Sequence, residues 1–134
     1  MAYLLQSDDT GKLILRLTVG VLMLLHGIAK ATNPEGLGGI SGMLVAKGLP
    51  GFIAYGAYIG EILAPLMVIL GIFTRIGAVL IAVNMLFAIG LAHAAQIFTM
   101  GKQGGWALEL QGFYLFCAIA LYFLGSGKFA VKPD

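Results

Sequence analysis

Charged side chains are scarce in this sequence. Only 10% of its 134 residues are Asp, Glu, Lys or Arg, whereas 60% are hydrophobic and the mean hydropathy is +0.97. Soluble domains carry about 25% charged residues, so the composition indicates an integral membrane protein. The net charge is only +2, and no basic block occurs along the chain, which argues against a nucleic-acid partner.

Motifs for metals and redox cofactors are also missing. Cys117 is the single cysteine, so the chain can form no intramolecular disulfide and no CxxC motif, and we expect this thiol to pack among apolar side chains. No flavin, nicotinamide or iron–sulfur motif is present. His26, His93 and Glu61 could in principle hold zinc or copper, and the two histidines a haem. No HxxxH spacing supports such a site, and we predict no metal.

Four long apolar stretches are present instead. They cover approximately residues 12–31, 52–73, 75–98 and 106–124, and each is long enough to cross the ~30 Å hydrocarbon core of a bilayer as a helix. Because the connections are short, the sequence predicts an all-α membrane protein, a four-transmembrane-helix up-down bundle that forms a single integral domain over residues 1–134.

Features at the ends of these stretches refine the prediction. Ser7 or Asp8 is placed to cap the first helix, and Trp106 is placed to anchor the fourth at the membrane interface. In the glycine-rich loop 32–50, Ile40, Met43 and Leu44 keep helical spacing. This spacing predicts a short interfacial helix in the first outer loop.

The distribution of basic residues predicts the orientation of the bundle. The side that holds both termini and the 74–75 turn carries five basic residues, and the other side carries three. The positive-inside rule therefore favours both termini in the cytoplasm. The five are Lys12, Arg16, Arg75, Lys128 and Lys132, and the three are Lys30, Lys47 and Lys102.

The most informative stretch of the chain is Tyr55–Arg75, which covers most of the second span. Gly56 and Gly60 form a GxxxG pattern, which lets another helix approach closely and predicts a protein partner or a homo-oligomer on that face. Glu61 follows directly, where an unpaired charge inside a membrane costs at least a few kcal/mol. Pro65 removes one backbone donor and is expected to bend the helix. A buried glutamate of this kind requires partners.

The alternation of the helices brings such partners to one depth. At 1.5 Å per residue, Glu61 lies about 13 Å from the outer end of its helix, and four further ionisable side chains fall in the same outer half of the membrane: His26, Lys30, His93 and Glu109. Asn84 lies deeper, near the midplane, where a helix-packing hydrogen bond is the favoured interpretation. Intramembrane ionisable residues indicate a functional site.

A purely structural interpretation of the same residues stays open. Glu61 could simply pair with Lys30 or His26, and Glu109 with His93. Arg16 and Lys30 lie near the two ends of the first span, where their long side chains could snorkel to the interface. Polar contacts between membrane helices contribute only about 0.6 kcal/mol each, so stability alone is a weak reason to bury so many.

Several of these residues form motifs that resemble a known family. The first span has the pattern LxxGxxxLxHGxxK from Leu17 to Lys30, followed by GEILAPLMVILGIFTR, GGW and a C-terminal LGSGKF. From about Arg16 to Phe129 the chain resembles the DoxX family of small four-helix bacterial inner-membrane proteins. The resemblance implies a link to membrane oxidoreductases and carries over polar positions: His26, Lys30, Glu61, Arg75 and His93. The fourth helix departs from the pattern, because Ala107 rather than an acidic residue follows the tryptophan. Glu109 comes two residues later, about 200° around the helix.

Two functions follow as hypotheses. In the first, the chain is a membrane subunit of a quinone-linked oxidoreductase. A polar cluster of His26, Glu61 and His93 relays protons, since burial moves histidine and carboxylate pKa values toward neutrality. Lys30, Glu109 and Asn84 then help to bind the quinone headgroup, and the electron donor lies on another chain. In the second, the chain is a non-catalytic scaffold that anchors or stabilises a partner complex through the Gly56/Gly60 face and the long outer loop.

Overall fold

The fold is built from helices. The computed structural model describes residues 7–32, 34–92, 98–100, 105 and 107–134. Five helical elements lie within these ranges, and we label them α1 (Asp8–Thr32), α2 (Pro34–Ala46), α3 (Gly51–Leu70), α4 (Thr74–Ala92) and α5 (Glu109–Leu124). The described residues include no strand, and an isolated bridge pairs Ile72 with Lys132.

Two of these helices are long and apolar enough to cross a membrane. They are α1, with 25 residues, and α3, with 20. The apolar stretches Thr74–Gly90 and Glu109–Leu124 are shorter in the part of the chain that the structure describes. The predicted first two spans therefore have matching helices, whereas the crossing of the third and fourth stays a prediction. The end of the predicted third span, with His93, and the start of the fourth, with Trp106, lie outside the described residues.

The ends of the helices follow from local chemistry. Ser7 caps α1 as predicted, because its Oγ accepts a hydrogen bond from the Thr10 backbone N–H at 3.2 Å, and α1 begins four residues before the predicted span. Gly71, with φ +76°, ends α3 at Leu70 rather than at Phe73. The N–H groups of Gly71 and Ile72 both bond the Met67 carbonyl at 2.9 Å, the usual termination by a left-handed glycine.

The long first loop contains the predicted short helix. This helix, α2, packs mainly against the first turn of α3 and also touches α1 and α4. Leu44 is its buried residue, while Met43 and Val45 are exposed. The existence of the helix is thus confirmed, and its position in the membrane interface stays a prediction.

The core lies between the four longer helices. Helices α4 and α5 pack extensively on each other, and α1 packs against both α3 and α5. The buried cluster consists of small and medium apolar side chains from all four: Val19, Met23, Ala64, Val68, Ala78, Ile81, Met85, Tyr114, Ala118 and Leu121. Small residues at these contacts let the helix axes approach closely, as in membrane bundles.

Arg16 does not snorkel, so that interpretation is wrong for this residue. Its side chain is only 1% exposed. Its Nε and Nη2 donate to the carbonyls of Val68 at 2.9 Å and Ile69 at 3.0 Å, in the last turn of α3. Those carbonyls lack helical donors because α3 stops at Gly71, and a cation is favourable at this negative end of the helix dipole. The unsatisfied carbonyls at the end of α3 therefore explain why the Arg16 side chain is buried.

The C-terminal tail is bound to the same end of the molecule. Arg16 Nη1 donates to the carbonyls of Ser126 at 3.1 Å and Phe129 at 2.6 Å. The Asp134 carboxylate accepts the Arg75 backbone N–H at 3.1 Å, at the start of α4. The Asp9 carboxylate accepts the N–H of Lys128 at 2.9 Å. The tail, the start of α1 and the α3–α4 turn therefore meet at one end of the bundle.

Candidate functional site

Glu61 lies in a widened turn of α3. Residues Ile59–Leu63 form a π-helical turn, in which the Ala64 N–H bonds the carbonyl of Ile59. Pro65 explains this widening, since it has no N–H for the Glu61 carbonyl and its ring would clash with that carbonyl in a regular α-helix. Pro65 thus changes the helix type in this turn, and the predicted bend of the helix stays a prediction. Single π-turns inside α-helices occur frequently at functional sites.

Close backbone contacts fix this turn against both neighbouring helices. A Cβ added at Gly27 of α1 would lie within 2.6 Å of the Glu61 carbonyl carbon and closer still to its oxygen. A Cβ added at Gly60 would lie 2.5 Å from the Cβ of Asn84 in α4. Only glycine fits at these two positions, so Glu61 is held between α1 and α4 with little freedom to move.

The carboxylate of Glu61 pairs with Lys30. The two side chains form a salt bridge between α3 and α1. Glu61 is 3% exposed, whereas Lys30 is half-buried near the C-terminal end of α1. Of the two partners that the sequence left open for Glu61, the structure selects Lys30. The buried carboxylate thus has a cationic partner that is partly accessible.

A cavity of about 460 Å³ lies beside this ion pair. Its size falls within the range of small-molecule sites in proteins, roughly 300–1,000 Å³. His26 and Lys30 line it from α1, Glu61 from α3 and Asn84 from α4. Most of the remaining lining is apolar and comes from all five helices, including Ile40, Met43 and Leu44 of α2. An apolar cleft with a few polar groups is typical of a ligand site.

Two polar residues that line the cavity were not predicted as site residues. Gln111 and Tyr114 line it from α5, and the Tyr114 ring meets the His26 ring edge-on, with centroids 5.9 Å apart at an interplanar angle of 89°. Their spacing of three residues puts them on one face of the helix, which is a signal that the sequence does contain. The sequence interpretation started instead from Glu109.

The two remaining predicted site residues are Glu109 and His93. Glu109 is exposed and is not part of the cavity lining, in keeping with the shifted position noted in the sequence. His93 lies outside the described residues. Within the described part of the chain, no three His, Cys, Asp or Glu side chains come close enough to hold a metal ion.

Asn84 and Gly60 of the GxxxG pattern contact each other within the chain. Among the described residues, the Asn84 amide makes no helix-packing hydrogen bond. Its side chain packs on Gly60 instead. Gly60 is therefore buried inside the chain, and Gly56 lines the cavity. The proposed use of these glycines to contact another chain is not supported, because α4 of the same chain already covers Gly60.

Comparisons with known proteins agree with the sequence motifs. The DoxX family model matches residues 11–94. The chain is 34% identical over 128 residues to the Bacillus subtilis protein named "Putative oxidoreductase CatD", covering 96% of this chain and 89% of that protein. It is 33% identical over 125 residues to an uncharacterized protein of Haemophilus influenzae, covering 90% of this chain and 85% of the other. No solved structure gives a significant match.

Proposed function

The chain belongs to the DoxX family, and from that premise we propose that it is a membrane subunit of a quinone-linked oxidoreductase system. The cavity beside the Lys30–Glu61 ion pair binds the quinone headgroup, and the ion pair exchanges its protons. The relative named as an oxidoreductase supports the reaction class. The observation that carries the proposal is that polar side chains from four helices line one otherwise apolar cavity: His26, Lys30, Glu61, Asn84, Gln111 and Tyr114.

The residues of the cavity fit a quinone. A quinone presents two carbonyl oxygens on a flat apolar ring, so it requires hydrogen-bond donors surrounded by apolar and aromatic side chains. Lys30, Asn84, Tyr114 and a protonated or correctly tautomeric His26 can all donate. Each of them lines the cavity. The apolar remainder suits the ring and the start of a lipid tail.

The chain supplies binding and protons, and another protein supplies electrons. Reduction of a quinone takes up electrons and protons together, and this sequence contains no flavin, nicotinamide or iron–sulfur motif. The electron donor in this proposal is therefore a redox protein bound to the membrane or to this subunit. Glu61 is the proton-exchanging group, and Lys30 connects it to the outer surface because its side chain is half-buried. His26 and His93 are the proposed further members of the relay.

The proposal includes a membrane arrangement. Helices α1 and α3 span the bilayer, and α4 and α5, extended by the residues before Glu109 and after Ala92, complete a four-span bundle. Both termini lie in the cytoplasm, and α2 lies in the outer interface of a bacterial inner membrane. The cavity then opens in the outer half of the membrane, where a lipid-soluble quinone can reach it from the side.

A matched pair of carboxylate variants tests the proposal. The protein is extracted gently from its native membrane, and the co-purifying quinone is measured by mass spectrometry for the wild type, Glu61→Gln and Glu109→Gln. Near-stoichiometric quinone is expected with the wild type and with Glu109→Gln, because Glu109 is exposed and outside the cavity lining. Glu61→Gln is expected to lose most of it. Quinone that is absent from the wild type, or equal in all three, contradicts the proposal.

The same experiment addresses the scaffold hypothesis. A scaffold predicts a co-purifying protein complex without a stoichiometric quinone. Its contact surface then has to lie elsewhere than at Gly60, since Gly60 is covered by Asn84 within the chain.

A further inference from the structure

Tyr114 is a buried polar side chain that the ion pair does not use. Its side chain is 7% exposed and lines the cavity from the middle of the buried face of α5. Its ring contacts His26 edge-on, and Glu61 lines the same cavity. Tyr114 therefore shares the proposed site with the histidine and the carboxylate.

Within the described part of the chain, the hydroxyl of Tyr114 makes no hydrogen bond. The one fully enclosed side-chain oxygen or nitrogen without a partner among these residues is Thr74 Oγ1, so the Tyr114 oxygen is not sealed off by the surrounding protein. Because Tyr114 lines the cavity, a ligand in the cavity can supply a partner for the hydroxyl. Such a hydrogen bond contributes about 0.5–1.5 kcal/mol, and phenylalanine at this position could not make it.

We infer that Tyr114 is a ligand-recognition residue whose hydroxyl hydrogen-bonds an oxygen on the headgroup of the cavity ligand. This inference rests on the proposed function and adds a named contact to it. A phenolic hydroxyl can donate to a carbonyl and accept from a hydroxyl, so the contact is available to both the oxidised quinone and the reduced quinol. The protonated Lys30 can only donate. Tyr114 is thus suited to hold the headgroup in both states.

Tyr114→Phe tests the inference, with Tyr122→Phe as the matched control. Tyr122 is on the same helix, is exposed and meets the Phe123 ring edge-on. Its substitution therefore removes a hydroxyl that does not line the cavity. The purified variants are titrated with a short-tailed ubiquinone analogue in detergent, in its oxidised and reduced forms. Loss of one such hydrogen bond weakens binding by about tenfold. We expect that loss in both forms for Tyr114→Phe and wild-type affinity for Tyr122→Phe.

Infrared spectroscopy gives a readout that a merely structural role would not change. The carbonyl stretch of bound, isotope-labelled quinone is expected at lower frequency than in an apolar solvent, and to move back toward the free value in Tyr114→Phe. In the wild type, binding is also expected to shift the C–O band of labelled tyrosine, which tests the contact even if the variant does not fold.

The outcomes separate this inference from the proposed function. If the wild type binds quinone and Tyr114→Phe binds it equally well with no infrared shift, the inference is overturned and the proposed function stands. Equal weakening by Tyr122→Phe, or an unchanged tyrosine band on binding, also overturns it. If the wild type binds no quinone in either form, the proposed function fails, and the inference fails with it.

Discussion

Gly27→Ala is expected to separate α1 from the π-turn of α3 and so to damage the site without altering any of its polar groups. The added Cβ would lie within 2.6 Å of the Glu61 carbonyl carbon, whereas ordinary contacts begin at 3.4 Å. The two backbones therefore have to move apart by roughly an ångström. Neither can adapt by a change of rotamer, because the obstacle is backbone on both sides.

The magnitude follows from two opposing effects. Overpacking of a tight contact costs typically 1–3 kcal/mol, and a rigid backbone contact belongs at the upper end, about 3. Alanine in place of glycine inside a helix stabilises the helix by about 1 kcal/mol. The free energy of unfolding is thus expected to fall by about 2 kcal/mol. The displacement also moves the Glu61 carboxylate away from its best position for the ion pair with Lys30. The amount of quinone that co-purifies with the protein should therefore fall as well.

The assay is unfolding in mixed micelles with increasing SDS, and Gly11→Ala provides the control. Gly11 lies on the same helix, and a Cβ there meets nothing within 4 Å, so only the helix-propensity gain remains and stability is expected to be unchanged or slightly higher. If Gly27→Ala is as stable as Gly11→Ala and retains its quinone, the close contact between α1 and Glu61 does not exist and the geometry of the site is wrong.

Three further substitutions test other contacts by the same unfolding measurement. Arg16→Lys is expected to destabilise by about 3 kcal/mol, because a lysine ammonium cannot reach all four carbonyls that the guanidinium bonds. Hydrogen bonds to charged groups contribute about 1.5–3 kcal/mol each, so an unchanged free energy of unfolding would contradict this expectation. Asp134→Asn keeps an acceptor for the Arg75 N–H but removes the negative charge at the start of α4. The free energy of unfolding is therefore expected to fall by only about 0.3–1 kcal/mol. A larger fall would show that Asp134 stabilises the protein by more than its charge. Lys30→Met leaves Glu61 buried without its partner and is expected to lower the free energy of unfolding by about 3 kcal/mol. The double variant Lys30→Met/Glu61→Gln should recover most of this loss, because it no longer buries an unpaired charge. If the effects of the two substitutions simply add, the two side chains are not coupled.

The sequence was sufficient to place most of the site. The depth of Glu61, Lys30 and His26 follows from the rise of a helix and the alternation of directions, and neither depends on detailed packing. The structure accordingly brings these three side chains, with Asn84, around one cavity. The family follows from motifs that the comparisons match over residues 11–94.

Other features depend on tertiary contacts that a linear pattern does not encode. Arg16 looks like an interfacial residue until the termination of α3 at Gly71 and the fold of the tail provide four carbonyls for it. Gly60 has the same pattern whether its neighbour is another chain or, as here, Asn84. Tyr114 was missed because the face of α5 was assigned from Glu109, whose carboxylate lies outside the cavity.

The measurement that tests the central claim most directly is photolabelling of the membrane-embedded protein with a quinone that carries a photoreactive group on its ring. Labelled peptides are then mapped by mass spectrometry, with an excess of unmodified quinone as competitor. We predict competable labelling on the segments that line the cavity, around His26, Glu61, Asn84 and Tyr114. Labelling that does not compete, or that falls only on the exposed face of α5 around Phe113 and Phe116, would contradict the claim that this cavity binds a quinone.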